Sequence, residues 1–271
     1  MRYAVIFSTK DTASMNILDK LLKGYNFVTS GKFDGHDSYC KDGIRLYVTD
    51  RESIYCEDID DEVKEEVIVF ATKHESQNGT PSLSVHAPGN WGEAKFGGRD
   101  NELCVAPAKL LMNGLWNLEK RNTGFEIIQE CTHHGPFLKK PVMFIEIGSK
   151  EEQWENPEAG RIVADALMDT LYYQEEPKSV VVGVGGLHHC PNFKKLTDVG
   201  IAVGHVCPKY MLYELTKEKV QQAIDRTLEN VEVVALDWKG LGSEKQRILE
   251  ENMNVKKIKE IISSYQHQQV R

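Results

Sequence analysis

The stretch Phe125-Glu-Ile-Ile-Gln-Glu-Cys-Thr-His-His-Gly-Pro136 begins with strand-forming residues and continues into a loop with a carboxylate, a thiol and two imidazoles. The apolar residues Phe125, Ile127 and Ile128 predict a strand, and Gly135-Pro136 marks the end of the loop that follows it. Open α/β sheets place their sites in such loops, beyond the carboxyl ends of the strands. The segment therefore predicts a strand of the sheet and one wall of a functional site.

Strand-like apolar runs alternate with amphipathic helical segments along the rest of the chain. This alternation predicts an α/β fold with three layers, α/β/α, around a mostly parallel or mixed central sheet. Right-handed crossovers would bring the carboxyl ends of the strands to one edge. Strands are predicted at 2–8, 67–71, 125–128, 142–148, 179–184, 199–205 and 231–236, and helices from residues 14, 107, 157 and 216 and over 243–252.

We expect one domain over residues 1–271, with two excursions from its core. Residues 30–62 contain glycines and an acidic run and predict a small β-rich insertion. Residues 76–105 are rich in Gly, Pro and Ser, and a loop of this length in a compact domain is usually functional.

Composition narrows the functional class. No apolar run approaches the ~18 residues that cross a bilayer, and the N-terminus lacks signal-peptide architecture, so we expect a cytoplasmic protein with no membrane partner. A net charge of −8 argues against DNA or broad nucleic-acid binding, but leaves room for a small basic patch that holds one RNA end. The six cysteines form no CxxC pair, which argues against a disulfide framework and a structural zinc finger.

Histidines recur where predicted strands end. Seven of the nine fall in five places, and four of these places directly follow a predicted strand. Because strand ends converge at one edge of a sheet, we expect several of these imidazoles to share a pocket. The residues are His74, His86, His133, His134, His188, His189 and His205.

The candidate catalytic residues are His133, His134, His74, Glu146 and His188. Glu146 lies inside a predicted buried strand, where a lone carboxylate is costly unless it is paired or belongs to a site. In an extended chain His133 and His134 would point to opposite sides, so either one could enter the pocket. The alternative is that His134 and the following Gly-Pro only shape a turn.

Imidazoles close to thiols make a catalytic zinc chemically reasonable, with three protein ligands and one open position. The candidate ligands are His86, His133, His188 and His205. The spacing of His205 and Cys207 matches no closed zinc motif, and buried packing of the cysteine is an equal alternative.

The candidate substrate-binding residues are Lys73, Gly185, Gly186, Glu130 and Trp91. Backbone N–H groups in the Gly185-Gly186 turn are suited to an anion, and those near Gly185-Gly186 or near Gly135 are suited to an oxyanion. A dinucleotide fingerprint is excluded, because GxGxxG would need glycine where His188 stands. Trp91 is suited to stacking a base. Lysines 139–140, 194–195 and 209 follow the site loops and are candidates for a basic rim.

Taken together, six motifs resemble the archaeal and plant type of D-aminoacyl-tRNA deacylase, over nearly the whole chain. Each motif alone is weak, and the combination is specific. They are Lys73-His-Glu-Ser76, Ser84-Val-His-Ala-Pro-Gly-Asn90, Glu130-Cys-Thr-His-His-Gly-Pro136, Glu146-Ile-Gly-Ser149 with Trp154, Gly183-Val-Gly-Gly-Leu-His188 and Gly204-His205.

The resemblance implies an enzyme that hydrolyses the ester linking a D-amino acid to the 3′ end of tRNA, with broad side-chain tolerance and a Zn²⁺ cofactor. It also implies a phosphorylase/hydrolase-like α/β/α fold. The expected partner is D-aminoacyl-tRNA, and the expected state is a monomer. Two alternatives remain open from the residues: a nucleoside phosphorylase or amidohydrolase-like enzyme on a small substrate, and a zinc-dependent RNA-binding protein.

Overall fold

A computed structural model of the chain describes residues 1–121, 123–238 and 254–268, which form two β-sheets. The first is mixed, in the order β2-β3-β4-β1-β5-β8-β6-β7. Its strands are β1 (Tyr3–Ser8), β2 (Val28–Phe33), β3 (His36–Lys41), β4 (Ile44–Thr49), β5 (Val67–Glu75), β6 (Ser82–His86), β7 (Glu126–Gln129) and β8 (Val142–Ser149). The second is parallel, in the order β10-β9-β11-β12. Its strands are β9 (Ser179–Val184), β10 (Ile201–Cys207), β11 (Val233–Leu236) and β12 (Val255–Lys257).

Helices connect and cover these strands. They are α1 (Thr12–Gly24), α2 (Ile59–Glu62), α3 (Ala108–Arg121), α4 (Glu151–Trp154), α5 (Pro157–Tyr172), α6 (Pro191–Asp198), α7 (Lys217–Asp225) and α8 (Ile258–Gln268). The start of α1 is fixed by Asp11, whose Oδ1 accepts a hydrogen bond from the Ser14 N–H at 2.9 Å. Asn156 caps α5 in the same way, and Pro157 occupies the first turn.

The two faces of the first sheet are covered differently. Helices α1, α3 and α5 bury one face with a continuous apolar core. The other face is covered by α2 and by loops that contribute Cys56, Phe137 and Leu138. The second sheet lies between α6 and α8 on one face and α7 on the other. A face closed by short segments leaves room for a cavity, and Glu146 shares that face with Phe144 on β8.

The segment 130–134 joins the two sheets. The Glu130 N–H donates to Val85 O on β6 at 3.0 Å. The Cys131 N–H donates to His188 O after β9 at 2.8 Å, and the Thr132 N–H donates to Val206 O on β10 at 3.0 Å. These bonds hold the segment between strand ends that are far apart in sequence.

The predicted α/β fold with a mixed sheet is confirmed. The β-rich insertion is also present, but β2–β4 extend the main sheet. Two strands run further than predicted, so that His74 lies within β5 and Cys207 lies within β10. The division into two sheets was not predicted, because apolar periodicity does not specify strand partners.

The helix predicted at 243–252 lies outside the described residues. Within the ranges that are described, no helix has both the length and the apolar character needed to cross a membrane. The single-domain organisation stays a prediction.

The contact of β9 with α6 gives a test of the packing. A Cβ added at Gly183 would lie 2.5 Å from Cε1 of Phe193. We expect Gly183→Ala to lower the free energy of unfolding by about 1–3 kcal/mol through overpacking, measured by urea denaturation. Adding Phe193→Leu should reduce the clash and give a positive coupling in a double-mutant cycle.

Gly24→Ala is the matched control, because a Cβ there meets nothing within 4 Å. It should change stability by no more than about 1 kcal/mol. Wild-type stability in Gly183→Ala would contradict the described contact.

Candidate active site

Imidazoles from four parts of the chain meet where the two sheets join. The ring centroids of His86 and His133 lie 4.3 Å apart, and those of His133 and His134 lie 4.4 Å apart. His188, from the loop after β9, lies 4.5 Å from His133. We call the following set the histidine cluster: His74, His86, His133, His134, His188 and His189. Each member except His189 was a predicted site residue.

Both His133 and His134 face the cluster, which an extended backbone would not allow. His134 has a φ of 44°, in the left-handed region. This conformation breaks the alternation of side chains along the segment. The sequence left open which of the two histidines enters the pocket, and in the structure both side chains do.

Two buried carboxyl groups contact the cluster. Glu130 Oε2 lies 2.9 Å from His188 Nε2 and 3.8 Å from His133 Nε2, and its Oε1 lies 3.2 Å from His74 Nδ1. Glu146 Oε2 lies 3.7 Å from both His74 Nδ1 and His86 Nε2. Thr72 donates a hydrogen bond to Glu146 Oε1 at 2.8 Å.

The environments of the two carboxyl groups move their pKa values apart. Burial opposes ionisation of Glu130, but contacts with His188 and His74 outweigh it and hold its pKa well below the usual value. Burial and the nearby Glu130 charge raise the pKa of Glu146 well above the usual value. For His188, burial is outweighed by contacts with Cys131 and Glu130, which raise its pKa to about 10. The site therefore favours the ionised form of Glu130 and the protonated form of Glu146.

Three of the imidazoles have the same tautomer. Nδ1 of His86 lies 3.2 Å from Ala87 O, that of His133 lies 2.8 Å from Cys131 O, and that of His134 lies 2.6 Å from Gly135 O. A carbonyl oxygen only accepts, so each Nδ1 carries the proton and each Nε2 has a free lone pair. Burial lowers the pKa of His86 to about 3 and that of His134 to about 4, which keeps both rings neutral.

This arrangement fits a metal ion. One ring nitrogen from each of His86, His133 and His134 lies within 4.8 Å of the others. His86 Nε2 is also buried without a hydrogen-bond partner among the described residues. Two other groups meet the same distance criterion: Cys131 with His133 and His188, and His74 with Glu130 and Glu146.

His205, a predicted metal ligand, lies outside the cluster. Its Nε2 is 3.0 Å from Cys104 O, and its Nδ1 accepts from Thr132 Oγ1 at 3.1 Å. Both nitrogens are therefore used, and the ring fastens the segment 130–134 to β10. His205 is therefore not among the residues that this geometry offers to a metal ion, and its predicted role as a ligand gains no support from it.

Only some of the predicted substrate-binding residues line a cavity at the histidine cluster. Lys73 and Trp91 line a cavity of about 1220 Å³ beside the cluster, although Trp91 is buried and donates its indole N–H to Val206 O at 3.2 Å. Gly185 and Gly186 do not line it, and the Gly185 N–H is used by Cys207 O at 2.8 Å. The Gly185 N–H is therefore not free to donate to an oxyanion, and the role predicted for this turn gains no support from the geometry. Glu130 lies behind the cluster, away from the lining.

A second cavity of about 240 Å³ adjoins the large one. His134 and Glu146 line both cavities, as do Lys73 and Ile54. Reasoning from the sequence also missed Tyr210, whose hydroxyl lies 3.1 Å from His188 Nδ1. Tyr210 follows the end of a strand, and this position is the sequence signal that would have made it a candidate site residue.

The fold and the cluster together define an α/β protein with a buried imidazole–carboxylate site that is suited to hydrolysis. A sequence model of the D-aminoacyl-tRNA deacylase family matches residues 61–261. The D-aminoacyl-tRNA deacylase of Pyrococcus furiosus is 40% identical over 261 residues, covering 92% of this chain and 96% of that protein. The corresponding protein of Archaeoglobus fulgidus is 34% identical, covering 93% and 92%.

A solved structure, described as a conserved protein of unknown function, has a TM-score of 0.88 at 32% identity and covers 96% of both chains. The chain belongs to the D-aminoacyl-tRNA deacylase family. The resemblance inferred from the sequence motifs is thereby confirmed.

Proposed function

We propose that this D-aminoacyl-tRNA deacylase hydrolyses the ester between a D-amino acid and the 3′-terminal adenosine of tRNA beside the histidine cluster, releasing both products. We also propose that His86, His133 and His134 hold a zinc ion. The observation that carries the proposal is the set of three neutral imidazoles whose Nδ1 protons are held by carbonyl oxygens.

Three imidazoles with an open fourth position are a common ligand set of catalytic zinc. Carbonyl partners on the second nitrogen orient such ligands and fix their tautomer. When bound, zinc supplies Lewis-acid polarisation and lowers the pKa of a water toward about 7. Compared with the ligand set predicted from the sequence, His134 takes the place of His188 and His205. His188 is engaged by Glu130 and Tyr210 instead.

Glu130 and His74 form the proposed proton-accepting pair. With Nδ1 of His74 facing the Glu130 carboxylate at 3.2 Å, Nε2 is the nitrogen left to take a proton from the attacking water. That Nε2 has no hydrogen-bond partner within the described ranges. The other oxygen, Glu130 Oε2, lies within hydrogen-bonding distance of His188 Nε2, at 2.9 Å.

Glu146 is the proposed substrate-facing carboxyl group. It lines both cavities, whereas Glu130 lines neither. The junction of the two cavities is suited to the reacting ester, with the aminoacyl group and the nucleotide on different sides. This arrangement replaces the earlier expectation that Glu130 contacts the substrate.

The family relationship favours a deacylase over a nucleoside phosphorylase or amidohydrolase-like enzyme, and over an RNA-binding protein without activity. The monomeric state, the absence of DNA binding and the cytoplasmic location stay predictions.

The first test is a comparison of chiral substrates. Purified protein should release D-tyrosine from D-tyrosyl-tRNA much faster than L-tyrosine from L-tyrosyl-tRNA, measured as loss of acid-precipitable label. Chelation followed by dialysis should abolish the reaction, and added Zn²⁺ should restore it. Full activity in protein shown to be metal-free would contradict the zinc proposal, and equal rates on both esters would contradict the chiral one.

The ligand assignment is tested separately by metal content. His86→Ala should weaken zinc binding by more than about 100-fold, beyond the loss that second-shell changes cause. His205→Gln should lower the melting temperature but keep one zinc per folded molecule, because His205 only fastens the backbone. His36→Ala, in an exposed contact with Asp50, is the control for unspecific metal loss. Zinc retained in His86→Ala and lost in His205→Gln would reverse the assignment.

The role of Glu130 is tested by Glu130→Gln. The neutral amide no longer holds His74 and His188 through a charge, so we expect kcat to fall about 10²- to 10⁴-fold with little change in KM. Glu126→Gln on the exposed part of β7 is the matched control and should behave as wild type. An unchanged kcat in folded Glu130→Gln would exclude the Glu130–His74 pair.

A further inference from the structure

The mouth of the large cavity carries three exposed aromatic side chains. The exposed fractions are 64% for Phe96, 52% for Tyr210 and 74% for Tyr213, and all three line the cavity. We call Phe96, Tyr210 and Tyr213 the aromatic rim. Large apolar side chains clustered at the mouth of a cavity point to a binding surface.

The rim is held in place by the segments that carry it. Lys219 Nζ donates to Trp91 O at 2.7 Å and pairs with Glu214 Oε2 at 3.0 Å, which joins the Phe96 loop to the Tyr213 segment. Phe96 O accepts from the Gly135 N–H at 2.9 Å, next to the cluster. The aromatic rings are thus presented on segments already anchored, which lowers the entropic cost of binding.

Charge gives the rim little attraction for phosphates. Three cations line the cavity: Lys95 lies 3.7 Å from Glu93, Lys73 lies 3.6 Å from Glu75, and Lys150 is followed by Glu151. The lining also contains Glu214, so its carboxylates at least balance its cations. Lys194, which the sequence offered for a basic rim, is paired with Asp198 at 2.8 Å. The whole chain carries a net charge of −8. Stacking on aromatic rings binds unpaired bases without needing a strongly positive surface potential.

The size of the cavity also exceeds the need of one aminoacyl-adenosine. Pockets for drug-sized ligands are roughly 300–1,000 Å³, and this one is about 1220 Å³.

We infer that the aromatic rim stacks the unpaired nucleotides that precede the terminal adenosine at the 3′ end of the tRNA. The inference rests on the proposed reaction beside the histidine cluster. The rim thereby positions the ester at the cluster through single-stranded RNA, and it contributes to affinity for tRNA without taking part in the chemical step.

The test compares a whole and a minimal substrate. In Tyr213→Ala and Phe96→Ala we expect KM for D-tyrosyl-tRNA to rise about 5- to 150-fold, the effect of losing one stacked base, with kcat unchanged. Hydrolysis of the D-tyrosyl ester of adenosine alone should stay at the wild-type rate. Tyr213→Trp should restore KM, because it keeps a stacking surface. Tyr173→Ala is the matched control, since Tyr173 is 76% exposed and lies outside the cavity lining.

Binding of uncharged tRNA gives a readout that does not depend on catalysis. Tyr213→Ala should raise its Kd by the same factor, whereas tRNA lacking its last three nucleotides should bind wild type and variant equally weakly. The inference is overturned if the Phe96→Ala/Tyr213→Ala double variant keeps the wild-type Kd, or if the minimal ester loses activity to the same degree. If the proposed reaction site is wrong instead, His86→Ala will retain hydrolysis while the tRNA affinities still separate as described.

Discussion

The buried carboxylate of Glu130 is the constraint on which the site depends. An isolated anion in a protein interior costs several kcal/mol unless partners compensate. Here the partners are imidazoles on β5, on the segment after β7 and on the loop after β9. Satisfying one charge therefore requires elements of both sheets to meet at the same place.

The same region keeps three neighbouring imidazoles neutral. Burial disfavours their charged forms, and backbone carbonyls take the Nδ1 protons of His86, His133 and His134. The Glu130 carboxylate therefore lies beside ring nitrogens that carry free lone pairs. A carboxylate can orient a base for proton transfer, and neutral imidazoles can bind a metal ion. Thr132 and His205 support this arrangement from behind by fastening the segment to β10.

The covering of the first sheet explains where the substrate can enter. Long helices close one face, so the site opens on the face that is covered by loops and by the short helix α2. Glu146 lies on that open face at the meeting of the two cavities. Strands β5, β6 and β8 carry His74, His86 and Glu146, whereas loops carry His133, His134 and His188.

Local sequence determined the α/β class, most strands and helices, the family motifs and the residue types of the site, because apolar periodicity and strand-end loops are local properties. It also indicated that the histidines converge, since strand ends share an edge. Only the tertiary structure decided that His134 turns inward, that both ring nitrogens of His205 are engaged by other groups and that the pKa values of Glu130 and Glu146 move in opposite directions. Those outcomes depend on a left-handed backbone angle, on partners far apart in the chain and on burial, none of which is encoded within a short window of sequence.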